Sequence, residues 1–315
     1  MENKEKRLRK TASIIGFFLF LMVVIEVILF LYVDRFLNII SLTRARDAQV
    51  KIFDIMIYLL VPVSIFYLLL MSSRSKISDV VNFKYKKCNL FKYILISFFG
   101  SMIANVITYF LINILKSTHI SSPSPNFYYG SSAMSIFLSI IEYNVVPAIA
   151  EEFVFRGVIL NELKPYGGKF AVVASSLLFA LLHGNIEQFL FAFLLGLYFG
   201  YIALQEGSIV PTVIIHFLNN FLVGISTLFK SNEEISAVLS AVYLVLSIIS
   251  LVYILYFALK NILKVKFKVL SFFKKSSADN NFKLSDKWNA FIFNPGMALF
   301  IMEVLALFYF SLRAI

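Results

Sequence analysis

The sequence predicts an all-α fold: a polytopic transmembrane helical bundle of about nine spans, eight if two short runs fuse, with a cytoplasmic N-terminus. Three observations predict it. Of 315 residues, 60% are hydrophobic and 15% are charged, with a mean hydropathy of +0.84; a soluble domain is nearer ~45–50% and ~25%. The apolar residues gather into runs near the ~20 residues that cross a ~30 Å hydrocarbon core. Lys and Arg then divide unevenly between alternate connections, as they do when basic loops face the cytoplasm. An ordinary soluble globule could not hide this much apolar surface, and 35 Phe with only 12 Gly and 7 Pro exclude disorder and collagen-like order.

The runs lie at 11–33, 52–71, 91–115, 134–160, 170–183, 188–205, 208–229, 235–259 and 288–312. The first is longer than the ~7–15-residue core of a signal peptide and reads as a retained span. The fifth and sixth are short and nearly fused. With the N-terminus inside, segments 1–10, 72–92, 161–169, 206–207 and 260–287 face the cytoplasm with 21 of the 29 basic residues; the outer segments hold 7, and Arg156, inside a span, completes the count. Segment 34–51 is the misfit, with Arg35, Arg44, Arg46 and Lys51 outside. Phe36, Leu37, Ile39, Ile40 and Leu42 suit an amphipathic helix lying at the interface there. Residues 121–126 form a loop by composition. The chain divides into a three-span region at 1–133, core helices at 134–229, and C-terminal spans at 230–315 that include a basic linker at 260–287.

The net charge of +11 is thereby an orientation signal, and nucleic acid is not an expected partner. The linker, with Lys as its only basic residue type, reads as attraction to anionic lipid headgroups, worth ~1 kcal/mol per basic residue near the surface. Cys88 is the only cysteine, which excludes an internal disulfide framework and a Cys-based zinc site.

Ionisable residues at membrane depth are functional suspects, and the spans hold Glu26, Asp54, Glu142, Glu151, Glu152, Arg156, His183, His216 and Glu303. Glu26 and Glu303 stand alone and read as structural hydrogen bonders. Asp54 lies near a span end. Glu142 either lines the same cavity as the main cluster or serves packing. The dense cluster is Glu151-Glu152-Phe153-Val154-Phe155-Arg156. At i, i+4, Glu152 and Arg156 share a face and can pair, while Glu151 points ~100° away, free to act as a base. The structural alternative is an interhelical ion-pair clamp.

Phe179-x-x-x-His183 and His216-Phe217-Leu218-Asn219-Asn220 supply the other polar groups. His216 and Asn220 share a face, so Asn219 is the less expected partner. Counted from the cytoplasmic helix ends, Glu151, His183, His216 and Asn220 lie at similar depth, roughly 12–21 Å at 1.5 Å per residue. Glu151 with His183 can deprotonate a water for attack on a peptide carbonyl, and His216 and Asn220 can donate to the oxyanion. Glu151, His183 and His216 are equally a catalytic zinc set, so zinc stays open as a cofactor and none is required. HExxH is absent (His183 to Glu187 is only HxxxE), as are GxSxG, a Walker A and a Rossmann glycine pattern. Gly196-x-x-x-Gly200 reads as helix packing.

Glu151-Glu152-x-x-x-Arg156, Phe179-x-x-x-His183 and His216-x-x-x-Asn220, in this order and each inside an apolar run, resemble the three motifs of the CPBP family. That family includes type II CAAX prenyl endopeptidases and bacterial ABI-domain proteins. Gly196-x-x-x-Gly200 and Gly207-Ser208-Ile209 are similar to its bacterial members. The match spans about residues 134–225.

The resemblance implies an intramembrane endopeptidase of a bacterial plasma (inner) membrane, glutamate-dependent or a metalloprotease. Glu151 is then the base, His183 its partner, His216 and Asn220 the oxyanion stabilisers, and Glu152 and Arg156 supporting residues. Its substrate is a membrane-associated protein or peptide, in bacteriocin maturation, peptide-signal processing or self-immunity. The alternative is a non-catalytic membrane scaffold or immunity protein of the same fold. A proton-coupled transporter is a third class, disfavoured because neither inverted repeats nor paired broken helices are evident. The sequence leaves oligomeric state undefined.

Overall fold

Inside a bilayer the backbone must satisfy its own polar groups, and the apolar runs accordingly form helices. The computed structural model describes residues 2–40, 46–72, 77–80, 85, 87–117, 120–121, 127–130, 132–260 and 282–314. The long helices are α1 (Glu2–Ile40), α2 (Arg46–Ser72) and α4 (Lys87–Ser117), with the single turn α3 (Ile77–Val80) between the last two. A continuous helical rod follows over Ala133–Tyr166. It contains α5 (Ala133–Ile140), α6 (Val146–Glu151) and α7 (Leu160–Leu163), joined by π-helical segments at Ile141–Val145 and Glu152–Ile159. Then come α8 (Gly168–Leu182), α9 (Ile186–Glu206), α10 (Val210–Leu228), α11 (Glu233–Lys260), α12 (Leu284–Ile292) and α13 (Pro295–Ser311). Ile120–Ser121 and Arg313–Ala314 form a two-residue antiparallel ladder.

The polytopic all-α expectation holds, with three differences in detail. Among the described residues seven helices are long and apolar enough to cross a membrane, or eight if α12 and α13, bent by 71°, count as one span. The expected straight span at 288–312 is therefore broken. Asn294 caps α13 by accepting from the Met297 N–H at 2.9 Å, and Pro295 supplies a first helical residue that needs no donor. The fifth run is a separate helix of 15 residues, α8, only ~22 Å long. Finally, residues 34–40 continue α1 instead of forming an interfacial helix. Residues 41–45, the side chains of Phe36 to Leu42, most of the 121–126 loop, His119 and 261–281 of the basic linker lie outside the described residues.

Contacts sort the connections into two ends. At one, the Arg9 guanidinium donates to Phe293 O at 2.7 Å, the Thr11 and Tyr166 hydroxyls lie 3.3 Å apart, and Asn89 and Tyr93 donate to Glu206 at 2.9 and 2.7 Å. At the other, Lys51 meets Tyr128 and Glu142, and the short ladder joins 120–121 to 313–314.

The main core packs α1, α2, the rod, α8, α12 and α13 around Leu8, Phe66, Phe155, Ile159, Phe291 and Phe300. A smaller cluster of Tyr93, Leu195, Phe199, Ile202 and Ile215 ties α4 and α9 to α10. On α11, by contrast, Val238, Leu244, Val252 and Leu259 face outward, as suits a helix against lipid.

Where α1 crosses α13 the backbones nearly touch. A Cβ on Gly296 would overlap Ser13 O, and one on Gly16 would sit 2.5 Å from Gly296 C. The Gly296 N–H donates to Ser13 Oγ at 3.1 Å. The Gly196-x-x-x-Gly200 pair does the same work more loosely: Cβ atoms there would meet Ser176 on α8 at 3.0 Å and Val172 at 3.1 Å.

Candidate active site

The carboxylates sit on a rod that is not a regular helix. Pro147 has no N–H, and its ring crowds the carbonyl four residues back; that residue, Tyr143, lies within the first π-helical segment. A wider turn relieves the crowding but frees carbonyls from the α-ladder. Asn side chains take two of them: Asn144 Nδ2 donates to Ile140 O at 2.9 Å and Asn161 Nδ2 to Gly157 O at 2.7 Å. The second π-helical segment begins at Glu152 itself.

His216, on α10, stands between the two carboxylates. Its Nδ1 lies 3.0 Å from Glu152 Oε1, and its Nε2 lies 3.7 Å from Glu151 Oε2. An ionised carboxylate only accepts, so Nδ1 carries the proton that Glu152 holds. Nε2 is left facing Glu151 across a gap too long for a direct hydrogen bond. Glu152 Oε1 also accepts from Arg156 Nη1 at 2.8 Å, with both side chains fully buried. Charges this deep are tolerated only when paired. The guanidinium is further covered by the Phe179 and Phe199 rings, 4.2 and 5.4 Å from its carbon. Glu151 is the accessible member, its side chain 29% exposed.

His183 ends α8, and its Nδ1 lies 2.9 Å from Phe179 O. A carbonyl can only accept, so the proton sits on Nδ1 and Nε2 is the basic nitrogen. The following Gly184 has φ +63°, and a Cβ there would meet Leu307 at 2.9 Å. Both facts demand glycine for the chain to turn away directly after the histidine. The Phe179 ring links the two imidazoles, with centroids 4.9 Å from His183 and 6.2 Å from His216.

The two asparagines part company. Asn219 is buried, accepts from Ser101 Oγ at 2.6 Å and donates to Ile215 O at 2.9 Å. Asn220, one turn beyond His216, is half-buried and makes no hydrogen bond among the described residues.

Residues 133–222 match a family described as type II CAAX prenyl endopeptidase Rce1-like. That match supports a likeness of this segment to CPBP/CAAX-type intramembrane proteases. No curated protein and no solved structure matches the chain. The Rce1-like core runs from α5 into α10 and holds Glu151, Glu152, Arg156, His183, His216 and Asn220.

Around this core the other helices add acidic residues that sequence reasoning had set aside. Glu26 on α1 interacts electrostatically with Glu151 and with Glu303 on α13, so of the two isolated carboxylates Glu26 lies near the carboxylates of the matched segment. The signal available in the sequence was their depth alone. Glu142 goes elsewhere: it pairs with Lys51 at 3.1 Å, both buried. Among the described residues no three His, Cys, Asp or Glu side chains converge closely enough to hold a metal ion.

Proposed function

We propose that the protein is an intramembrane endopeptidase that hydrolyses a peptide bond of a membrane-associated protein or peptide. The observation that carries this reading is His216 fixed by Glu152 on one nitrogen and facing Glu151 on the other. In the proposed reaction, a water between Glu151 and His216 gives a proton to the Glu151 carboxylate as its oxygen bonds to the scissile carbonyl carbon. The carbonyl oxygen becomes an oxyanion, stabilised by donation from Asn220 and from His216, which enters the reaction as the imidazolium with a second proton on Nε2 and keeps it throughout. The held proton passes to the leaving nitrogen, the C–N bond breaks, and a carboxylic acid and an amine are released. His183, with its basic Nε2, positions the water or relays that proton. Arg156 keeps Glu152 ionised, and Glu152 in turn keeps His216 oriented, so both act through their neighbour. No step is routed through a metal.

The Lys and Arg distribution supports a site opened toward the cytoplasmic half of a plasma membrane. The motif resemblance supports a bacterial setting, with bacteriocin maturation, peptide-signal processing or self-immunity as the class of task. The test is comparative peptidomics of membranes from cells carrying wild-type protein or Glu151→Gln. At least one membrane-associated peptide should lose its processed form in the variant at equal protein level. Identical peptide profiles, together with full complementation by Glu151→Gln, would leave a scaffold as the better description.

A further inference from the structure

A small cavity lies where the end of the rod meets the turn from α9 into α10, with a volume of about 30 Å³. Arg156, Asn161 and Lys164 of the rod line one side, and Ala203, Gly207 and Ser208 line the other. At ~10–15 Å³ per water, the space holds about two waters. That suits a monatomic ion and is too small for a phosphate or a peptide carboxylate.

Arg156 is buried, yet only its Nη1 is used, on Glu152 at 2.8 Å. Nε and Nη2 have no hydrogen-bond partner among the described residues. These two nitrogens share one edge of the guanidinium, where their N–H bonds run parallel as a fork. Buried donors left empty cost free energy, so this edge calls for an acceptor.

The neighbouring polar groups are mostly donors as well. Ser208 Oγ accepts from the Val210 N–H at 3.1 Å, which leaves its own proton to donate. Asn161 Nδ2 spends one proton on Gly157 O at 2.7 Å and keeps the other. Lys164 is exposed and makes no hydrogen bond or ion pair among the described residues. The side-chain acceptors are only Asn161 Oδ1 and a Ser208 lone pair. A water placed here would bring two more protons, whereas an anion brings none. The charges agree. Arg156 and Lys164 against Glu152 leave one positive charge, and the start of α10 adds the partial positive charge of a helix N-terminus. Glu151 also acts on Arg156, but it faces His216 and is partly exposed, which weakens its field.

We propose that this cavity binds one monovalent anion of chloride size, which accepts from Arg156 Nε and Nη2, from the Ser208 hydroxyl and from Lys164. Glu152 and the anion then share one guanidinium, each on its own nitrogens. Binding does not depend on Glu151 acting as a base, so Glu151→Gln keeps the anion.

The test is chloride NMR line broadening by the full chain in a neutral maltoside detergent, with chloride exchanged against gluconate at constant ionic strength. Wild-type protein should add a line width that saturates as chloride rises and collapses when bromide competes. Lys164→Glu puts a carboxylate at an exposed position and should weaken binding by ~10-fold or more. Ala203→Val fills the space and should abolish the saturable component. Ser208→Ala removes one donor, should weaken binding by ~2–10-fold, and serves if the valine variant does not elute as a folded species. A wild-type protein without a saturable component would mean that water alone fills the cavity. That result, or an unchanged affinity in folded Lys164→Glu and Ser208→Ala, overturns the proposal.

Discussion

One imidazole meets a different carboxylate on each nitrogen, and in the proposed reaction the adjacent residues divide the labour: Glu152 fixes, Glu151 reacts. Two neighbouring asparagines divide in the same way. Asn219→Ala breaks a buried bond to Ser101 and should cost ~1–3 kcal/mol of stability, read as a lower midpoint of thermal unfolding in detergent. Asn220→Ala should leave that midpoint in place and lower the cleavage rate by a factor of ~10² or more, as removal of an oxyanion donor does. Equal effects on both measures for both variants would erase the distinction. The i, i+4 rule made the Glu152–Arg156 pair legible in the sequence. It could not tell that Glu151 and Glu152, ~100° apart on an ideal helix, would reach the same histidine, because that depends on where α10 packs. Nor could spacing along one helix reveal that Glu26 on α1 comes near both Glu151 and Glu303.

Hydropathy alone located most of the helices, since a run of apolar residues is the direct signature of a span. It was blind to two kinds of event within a run. The π-helical segments at 141–145 and 152–159 keep the helix going, so no drop in hydropathy marks them; Pro147, Asn144 and Asn161 were the available signs. The bend between α12 and α13 is the second, and its sign was Asn294-Pro295, a pair that starts turns and helices. Just past it, the α1–α13 crossing depends on the absence of a side chain. Gly296→Val would drive its Cβ into Ser13 O. It should destabilise the bundle by more than the ~1–3 kcal/mol of ordinary overpacking, because the obstacle is backbone. Limited proteolysis should then cut near the N-terminus of α1 faster than in wild-type protein, whereas Gly100→Val, with nothing within 4 Å of its Cβ, should not.

At the scale of the whole molecule, a buried ion pair ties the N-terminal start of α2 to the rod. Lys51 meets Glu142 at 3.1 Å and Tyr128 O at 2.8 Å. Lys51 looked like a misplaced outer-loop charge in the sequence, and its pairing explains why a basic residue is tolerated there. Lys51→Met strands Glu142 and should lower stability by ~3–5 kcal/mol, while the Lys51→Met, Glu142→Leu double variant should recover much of the loss. A double variant as unstable as the sum of its parts would mean the two side chains are not coupled.

The contact between Ser13 and Gly296 spans 283 residues of chain. Membrane helices enter the bilayer in the order they are synthesised, so the Gly16 face of α1 waits for α13 while all the spans between them are inserted. The Rce1-like segment is thus already in the membrane before the strap that brings Glu26 and Glu303 together can close. Closure of that strap is a late, non-local event of biogenesis, the kind that chain topology makes slow. A newly made molecule therefore passes through a stage in which its motif residues are all present and Glu303 has not yet come beside Glu26.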